Sequence, residues 1–179
     1  MYDEECSAYE QEIKFVLGFA GSGKSTKLAN MADENTLILT PTHKAASVLQ
    51  RKGLGNVFTI HSVLKLVPTL NVNYNPSKRQ KMQKLKRIGD VDLSSIKQVF
   101  IDEFGMLNTY ILDLLLELLP AESKVIVFGD PYQLSTITGD SIEPLDYTEN
   151  IEYLTIQHRA DAPAVVETFM RFMHYIKDN

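Results

Sequence analysis

The sequence predicts an α/β fold in which a mostly parallel sheet carries helices on both faces. Short runs of aliphatic and β-branched residues alternate with stretches of helical periodicity, which is the pattern of βαβ units. The first apolar run leads into a glycine-rich turn at residues 18–25, and another ends in Asp102 and Glu103. Open α/β sheets bind ligands beyond the carboxyl ends of their strands, so both turns are expected to belong to one site.

The predicted elements follow one another as strand and helix along most of the chain. The strands are short and apolar, and the first four end at polar or glycine-bearing turns: Lys14–Leu17, Thr36–Leu39, Gln98–Ile101, Lys124–Phe128 and Glu152–Leu154. Helical patterns cover four segments: Lys24–Met31, His43–Lys52, Thr109–Leu119 and Ala162–Lys177. The stretch from Pro68 to Leu93 opens with Asn and Pro and then becomes basic. It predicts an insertion that stands off the sheet.

Length and composition indicate one globular domain. The chain has 179 residues, of which 44% are hydrophobic, a fraction too high for a disordered segment. No apolar run approaches the roughly 20 residues of a membrane span, and the acidic N-terminus is unlike a signal peptide. The single cysteine, Cys6, excludes an internal disulfide and a cysteine-based zinc site. We therefore expect a cytoplasmic protein with no membrane partner.

Charge is distributed unevenly along the chain. The net charge of −5 argues against a general polyanion binder. Six basic residues nevertheless fall close together: Lys78, Arg79, Lys81, Lys84, Lys86 and Arg87. This cluster is compatible with a nucleic-acid contact, and a solvated loop with surplus lysines explains it equally well.

The glycine-rich turn matches the complete P-loop pattern between a predicted strand and a predicted helix. Its backbone N–H groups are expected to surround phosphate oxygens at a helix N-terminus. Lys24 is expected to reach the β- and γ-phosphates, and the Ser25 hydroxyl to ligate Mg²⁺. ATP and Mg²⁺ are thus the predicted ligands, and the expected nucleotide-binding residues are Gly18, Ala20, Gly21, Ser22, Gly23, Lys24, Ser25 and Thr26.

Two further turns supply candidate catalytic groups. Asp102 is expected to hold the Mg²⁺ hydration shell, and Glu103 to orient and deprotonate the attacking water. A strand that ends in acidic residues is common, and the P-loop upstream is what makes this pair informative. Gln133, in the segment Gly129–Leu134, is placed to hydrogen-bond a γ-phosphate or the attacking water. A plain Gly-Asp-Pro turn explains that segment equally well.

Together these segments resemble superfamily 1B DNA helicases, the RecD-like and Dda-like branch that moves 5′ to 3′. The resemblance spans Phe15 to Ala164 and comprises six motifs in family order: 18–26, 40–46, 59–64, 102–106, 129–134 and 154–159. It implies a RecA-like P-loop NTPase. Motor domain 1A would cover residues 1–64 and 96–179, and a small inserted 1B subdomain would cover residues 65–95.

The resemblance also implies roles for single residues. Gln133 would sense the γ-phosphate and link nucleotide state to the grip on DNA. Arg159 would bring its guanidinium to the γ-phosphate, where charge builds up during phosphoryl transfer. Single-stranded DNA would pass four side chains that donate to phosphate oxygens without reading sequence: Thr42, His43, Thr59 and His61. Without the resemblance, each histidine is read as a satisfied, partly buried ring.

The family motor binds ATP between two RecA-like domains, and this sequence carries motifs of the first one only. We therefore expect the isolated chain to bind ATP and Mg²⁺, to hydrolyse ATP slowly and not to unwind duplex DNA. Gln11 is the candidate for the upstream glutamine with which the family recognises adenine, and this match leaves adenine specificity open. A nucleotide-dependent binding module and a P-loop small-molecule kinase are the alternative functions.

Overall fold

A computed structural model describes the protein over residues 9–70, 83–130 and 141–154. Its strands are β1 (Glu12–Gly18), β2 (Leu37–Thr40), β3 (Val57–Thr59), β4 (Leu66–Leu70), β5 (Gln83–Arg87), β6 (Gln98–Ile101), β7 (Lys124–Gly129) and β8 (Ile151–Leu154). Its α-helices are α1 (Lys24–Met31), α2 (His43–Arg51), α3 (Ile60–Val63) and α4 (Thr109–Leu118). Short 3-10 turns occupy Phe104–Met106 and Pro144–Asp146.

Six of these strands form one parallel sheet in the order β3-β2-β6-β7-β1-β8. Strand β1 lies inside the sheet, where Phe15 pairs with Val127 of β7 on one side and with Ile151 of β8 on the other. Strands β4 and β5 form a separate antiparallel pair. The predicted fold class, a mostly parallel α/β sheet, is confirmed.

Helices cover both faces of the six-stranded sheet. Successive residues of a strand point to opposite faces, so Val16 joins one core and Phe15 the other. The core around Val16 includes Leu28 of α1 and Leu49 of α2. The core around Phe15 receives the four buried residues of α4: Ile111, Leu112, Leu115 and Leu116. Strands that are buried on both sides read as continuous apolar runs, which is why the sequence located them.

The predicted boundaries agree with the structure to within a few residues. Helix α1 has the predicted bounds, and α2 and α4 each end one residue earlier than expected. Strand β3 was not predicted, because three residues are too few to establish a period. The predicted helix over 162–177 lies outside the described residues.

Side-chain caps fix where the helices begin at the carboxyl edge of the sheet. The Thr42 hydroxyl accepts a hydrogen bond from the Ala45 N–H group at 3.2 Å and starts α2 directly after β2. The Asn108 carboxamide oxygen does the same for the Ile111 N–H group at 3.0 Å, at the start of α4. Each cap satisfies a backbone donor that the helix itself leaves unpaired. Within the three described ranges, no helix has the length and apolar character needed to cross a bilayer.

Candidate nucleotide-binding site

A cavity of about 910 Å³ opens at the carboxyl edge of the sheet, beside the end of β1. Residues 20–27 line one side of it, and three carboxylates line another: Asp102, Glu103 and Asp130. Its volume lies in the range of known small-molecule sites. The fold therefore brings the P-loop and the acidic turn, which are far apart in sequence, into one site.

The P-loop turns sharply between β1 and α1. Gly18 is the last residue of β1, and Gly23 is the N-cap residue of α1 with φ 91° and ψ 10°. Only glycine adopts this left-handed conformation without steric cost. The turn therefore exposes the N-terminus of α1 towards the cavity, where its unpaired N–H groups and its dipole favour an anion.

The Lys24 side chain curls back over the P-loop. Its Nζ atom donates hydrogen bonds to the carbonyl oxygens of Gly18, at 2.5 Å, and Phe19, at 2.8 Å. Burial lowers the pKa of Lys24, and the carboxylates of Asp130, Asp102 and Glu103 act in the opposite direction. A phosphate in the cavity would offer this ammonium group stronger acceptors than the two neutral carbonyl oxygens.

The Ser22 side chain supports the assignment of an anion site. Only 5% of this residue is exposed, and its Oγ atom has no hydrogen-bond partner among the described residues. A buried hydroxyl without a partner is rare, since desolvating it costs about 1–3 kcal/mol. A phosphate oxygen bound in the loop would accept a hydrogen bond from this hydroxyl. The residues of this turn therefore fit a nucleoside triphosphate.

Asp102 is a buried carboxylate at the end of β6. It is 8% exposed, and its Oδ1 atom accepts a hydrogen bond from the Glu103 N–H group at 3.1 Å. Burial, together with the neighbouring charge of Glu103, raises the pKa of Asp102 to about 6. A divalent cation would stabilise its ionised form. Ser25 lines the same cavity, and Mg²⁺ commonly takes only one or two protein oxygens besides phosphates and water, so this pair fits Mg²⁺.

Glu103 has a strained backbone. Its φ of 58° and ψ of 50° are left-handed, which costs a residue with a Cβ atom about 1–2 kcal/mol. The next residue, Phe104, holds the turn in place because its ring packs edge-on against Phe15, with ring centroids 5.5 Å apart. Strain of this kind concentrates at functional sites, and here it directs a carboxylate into the cavity.

Phe104 also fixes the neighbouring turn, where β7 ends. A Cβ atom added to Gly129 would overlap the Phe104 ring, so this position has room for glycine alone. The buried Asp130 follows and is the carboxylate that raises the pKa of Lys24 most. We did not predict Asp130 as a site residue. The available signal was the same as for Asp102, an acid directly after a buried strand.

The four residues predicted to contact DNA do not line this cavity. Thr42 and His43 follow β2, and Thr59 ends β3 with His61 just after it, further along the same edge of the sheet. Thr42 and Thr59 cap helices, with the Thr59 hydroxyl accepting from the Ser62 N–H group at 3.3 Å. Each of these hydroxyls accepts a hydrogen bond in its cap, so its own O–H group can still donate one to another acceptor. His43 is exposed, whereas His61 is half-buried, and burial lowers its pKa.

Three other predicted residues lie away from the cavity or outside the described ranges. Gln133 and Arg159 belong to residues 131–140 and 155–179, which the structure does not describe. The Gln11 amide donates to the carbonyl oxygens of Leu116, at 3.0 Å, and Leu119, at 3.1 Å, at the end of α4. The seven residues of β1 span roughly 20 Å, so Gln11 lies at the opposite edge of the sheet from the P-loop.

Comparisons with known proteins agree with this architecture. The AAA domain family matches residues 4–171. The ATP-dependent DNA helicase dda of Enterobacteria phage T4 is 26% identical over 145 residues, which are 77% of this chain and 29% of that protein. A solved Pif1 helicase from Bacteroides is 24% identical with a TM-score of 0.57, over 87% of this chain and 40% of the other.

A second Bacteroides Pif1 structure, in complex with ADP-AlF3 and single-stranded DNA, is 22% identical with a TM-score of 0.54. That similarity covers 93% of this chain and 43% of the other. The chain therefore spans less than half the length of these relatives. It belongs to the AAA domain family, and it shares its fold with the part of the Bacteroides Pif1 helicases that it matches.

Proposed function

We propose that this chain is the ATP-binding motor domain of a 5′-to-3′ DNA helicase, which couples ATP hydrolysis to movement along single-stranded DNA. The observation that carries this proposal is the single cavity in which Lys24 meets Asp102 and Glu103. A P-loop lysine opposite a strand-end acid pair is the arrangement that phosphoryl transfer requires. The similarity to phage dda and to Pif1 helicases supports the choice of helicase over other P-loop enzymes.

Each group in the cavity has a defined chemical task. Lys24 and the N–H groups at the start of α1 bind the β- and γ-phosphates and stabilise the charge that develops on them. Ser25 and Asp102 would hold Mg²⁺, which would draw negative charge from the phosphate oxygens. Glu103 orients the attacking water and accepts its proton. Gln133 and Arg159 are proposed to contact the γ-phosphate from segments outside the described residues.

We propose that a second RecA-like domain completes the site. The relatives are more than twice as long as the portion that this chain matches. Closure of a second domain over bound nucleotide excludes water and adds groups that stabilise the transition state. The isolated chain is therefore expected to bind ATP well and to hydrolyse it slowly.

DNA is proposed to run along the carboxyl edge of the sheet, past Thr42, His43, Thr59 and His61. Residues 65–95 are proposed to form the 1B subdomain. The exposed Lys86 and Arg87 of β5 support a contact with the phosphate backbone. Such a contact weakens as salt rises, since it releases counterions from the DNA. A cytoplasmic location also remains a proposal, which the single Cys6 supports.

The experiment measures ATPase rate with and without single-stranded DNA. It compares the 179-residue chain with a version extended by the second motor domain of a Pif1 relative. We expect DNA to stimulate the extended protein by at least tenfold and Glu103→Gln to abolish that activity. Glu122→Gln, at an exposed glutamate in the loop before β7, is the matched control and should change nothing.

Three outcomes would contradict the proposal. If the extension brings no gain, the half-motor interpretation is wrong, and a nucleotide-dependent binding module replaces it. Efficient unwinding of duplex DNA by the 179-residue chain alone would also contradict the half-motor interpretation. Phosphate transfer from ATP to a nucleoside, without stimulation by DNA, would identify a small-molecule kinase instead.

A further inference from the structure

A lysine from outside the phosphate loop also lines the nucleotide cavity. Lys52 is the C-cap residue of α2, and it shares the cavity with Ser25, Asp102 and Glu103. It belongs neither to the P-loop nor to the acidic turn, so neither of those motifs accounts for a positive charge at this place.

The sheet order places Lys52 at the acidic end of the cavity. Strand β6 lies between β2 and β7, while α2 packs on β2 and β3, and α1 packs on β1 and β7. Asp102, directly after β6, therefore lies between the two helices, with Ser25 of α1 on one side and Lys52 on the other. Burial has the largest effect on the pKa of Asp102 and raises it, whereas the positive charges of Lys24 and Lys52 act to lower it. The Lys52 ammonium group is thus within electrostatic range of the carboxylate proposed to hold Mg²⁺.

The backbone of Lys52 is held in place by the turn that ends α2. The Gly53 N–H group donates to the Gln50 carbonyl oxygen at 2.9 Å, and the Leu54 N–H group donates to the Leu49 carbonyl oxygen at 3.4 Å. Leu54 also packs against the core that contains Leu49. This pair of hydrogen bonds with its apolar contact is a common way for a helix to end. The lysine therefore reaches the cavity from a fixed point, and a ligand has only its flexible side chain to order.

The charge of Lys52 is not neutralised by a direct contact. Within the part of the chain that the structure describes, its ammonium group forms neither an ion pair nor a hydrogen bond. Lys27, which also lines the cavity, is paired with Glu152. Only Lys24 and Lys52 then remain, among the described lining residues, to balance three carboxylates. A polyphosphate needs more positive charge than that balance leaves, so both lysines are required as phosphate ligands.

The terminal phosphate is the part of a nucleotide that would lie nearest to Lys52. In P-loop enzymes the metal ion bridges β- and γ-phosphate oxygens, and here Ser25 and Asp102 are the residues that fit it. Glu103, as the proposed base for the attacking water, must lie near the γ-phosphate that the water attacks. Lys52 lines the same end of the cavity as these groups, so the γ-phosphate is its expected partner.

We propose that the Lys52 ammonium group donates a hydrogen bond to the γ-phosphate and thereby distinguishes a nucleoside triphosphate from a diphosphate. This inference rests on the proposed nucleotide site and adds to it a phosphate ligand from α2. The contact exists only while the terminal phosphate is present, so release of the cleaved phosphate removes it. Affinity for the triphosphate then exceeds affinity for the diphosphate by the strength of one charge-assisted hydrogen bond.

The test is calorimetric titration of the 179-residue chain, in the presence of Mg²⁺, with ADP and with AMP-PNP, a non-hydrolysable ATP analogue. Lys52→Ala should weaken AMP-PNP binding by about tenfold and ADP binding by less than about twofold. Lys52→Arg keeps the charge and should retain most of the affinity for AMP-PNP. Lys24→Ala should weaken both ligands, because Lys24 is expected to reach the β-phosphate as well. Arg51→Ala removes the same charge from the neighbouring exposed residue, which does not line the cavity, and is the matched control.

Two outcomes would overturn the inference while leaving the proposed function intact. One is an equal loss of affinity for ADP and AMP-PNP in Lys52→Ala, which would mean that Lys52 acts on the acid pair and not on the terminal phosphate. The other is equal AMP-PNP binding by Lys52→Ala and Arg51→Ala, with both variants unfolding in urea as cooperatively as the parent. Failure of the parent chain to bind either ligand would contradict the proposed function itself.

Discussion

Replacing Asp102 with asparagine is expected to stabilise the nucleotide-free protein and to remove its Mg²⁺-dependent affinity for ATP. Burial and the charge of Glu103 raise the pKa of Asp102 from 3.8 to about 6. One pH unit corresponds to about 1.4 kcal/mol, so ionising this carboxylate in the folded protein costs roughly 3 kcal/mol at pH 7. The asparagine amide needs a partner of its own, which reduces the expected gain in the free energy of unfolding to about 2 kcal/mol.

The sign of the effect fixes its dependence on pH. Between pH 3.8 and about 6 the folded chain binds more protons at Asp102 than the unfolded chain does. The stability that Asp102 contributes is therefore present below pH 3.8 and is lost as the pH rises through about 6. The stability advantage of Asp102→Asn should accordingly be near zero at pH 4 and fully developed at pH 7.

Urea unfolding without nucleotide, at several pH values from 4 to 7, measures this difference. Glu122→Gln, which neutralises an exposed carboxylate, serves as the control and should give no pH-dependent difference. Titration with ATP and Mg²⁺ at pH 7 then measures the functional loss. Equal stability of the parent and Asp102→Asn at pH 7, or a difference that does not vary with pH, would refute the electrostatic cost assigned here.

Three further tests by substitution probe the geometry around the site. Glu103→Gly should be more stable in urea than Glu103→Ala by about 1 kcal/mol, since only glycine is relaxed at φ 58°; the reverse order would argue against backbone strain. Gly129→Ala should lower thermal stability by about 2 kcal/mol, and Phe104→Leu should recover part of that loss, whereas simple additivity would rule out the steric contact. Gln11→Ala should destabilise the fold by about 1 kcal/mol with ATP affinity unchanged, and altered affinity would mean that this residue acts at the cavity.

Those parts of the fold that have a strong local pattern could be predicted from the sequence. Helix α1 begins where the P-loop glycine permits it, and the buried strands read as unbroken apolar runs. Strand β5 has no such pattern, because Gln83–Arg87 is mostly polar and, within the described residues, pairs with β4 alone. The segment could be recognised as unlike the rest of the chain, but its strands could not be located.

The candidate site shows the same division. The residues at 18–25 and the pair at 102–103 could be found because the residues that act together in each of them are consecutive in the sequence. Tyr153 and Leu154 belong to the cavity only because β8 lies beside β1, a neighbour relation that no local pattern encodes. Gln11 is the opposite case. It is close to the P-loop in sequence, but the seven extended residues of β1 separate the two, so Gln11 lies at the other end of the strand.

The position of β1 inside the sheet has a consequence for how the chain folds. Its partners are β7 and β8, which come more than a hundred positions later in the sequence. Contacts of such long range slow folding, because the entropy of closing a large loop is lost before the pairing is gained. During synthesis, both edges of β1 stay unpaired until β7 has emerged from the ribosome. Nucleotide can therefore stabilise the finished domain, but it cannot guide the first steps of its folding.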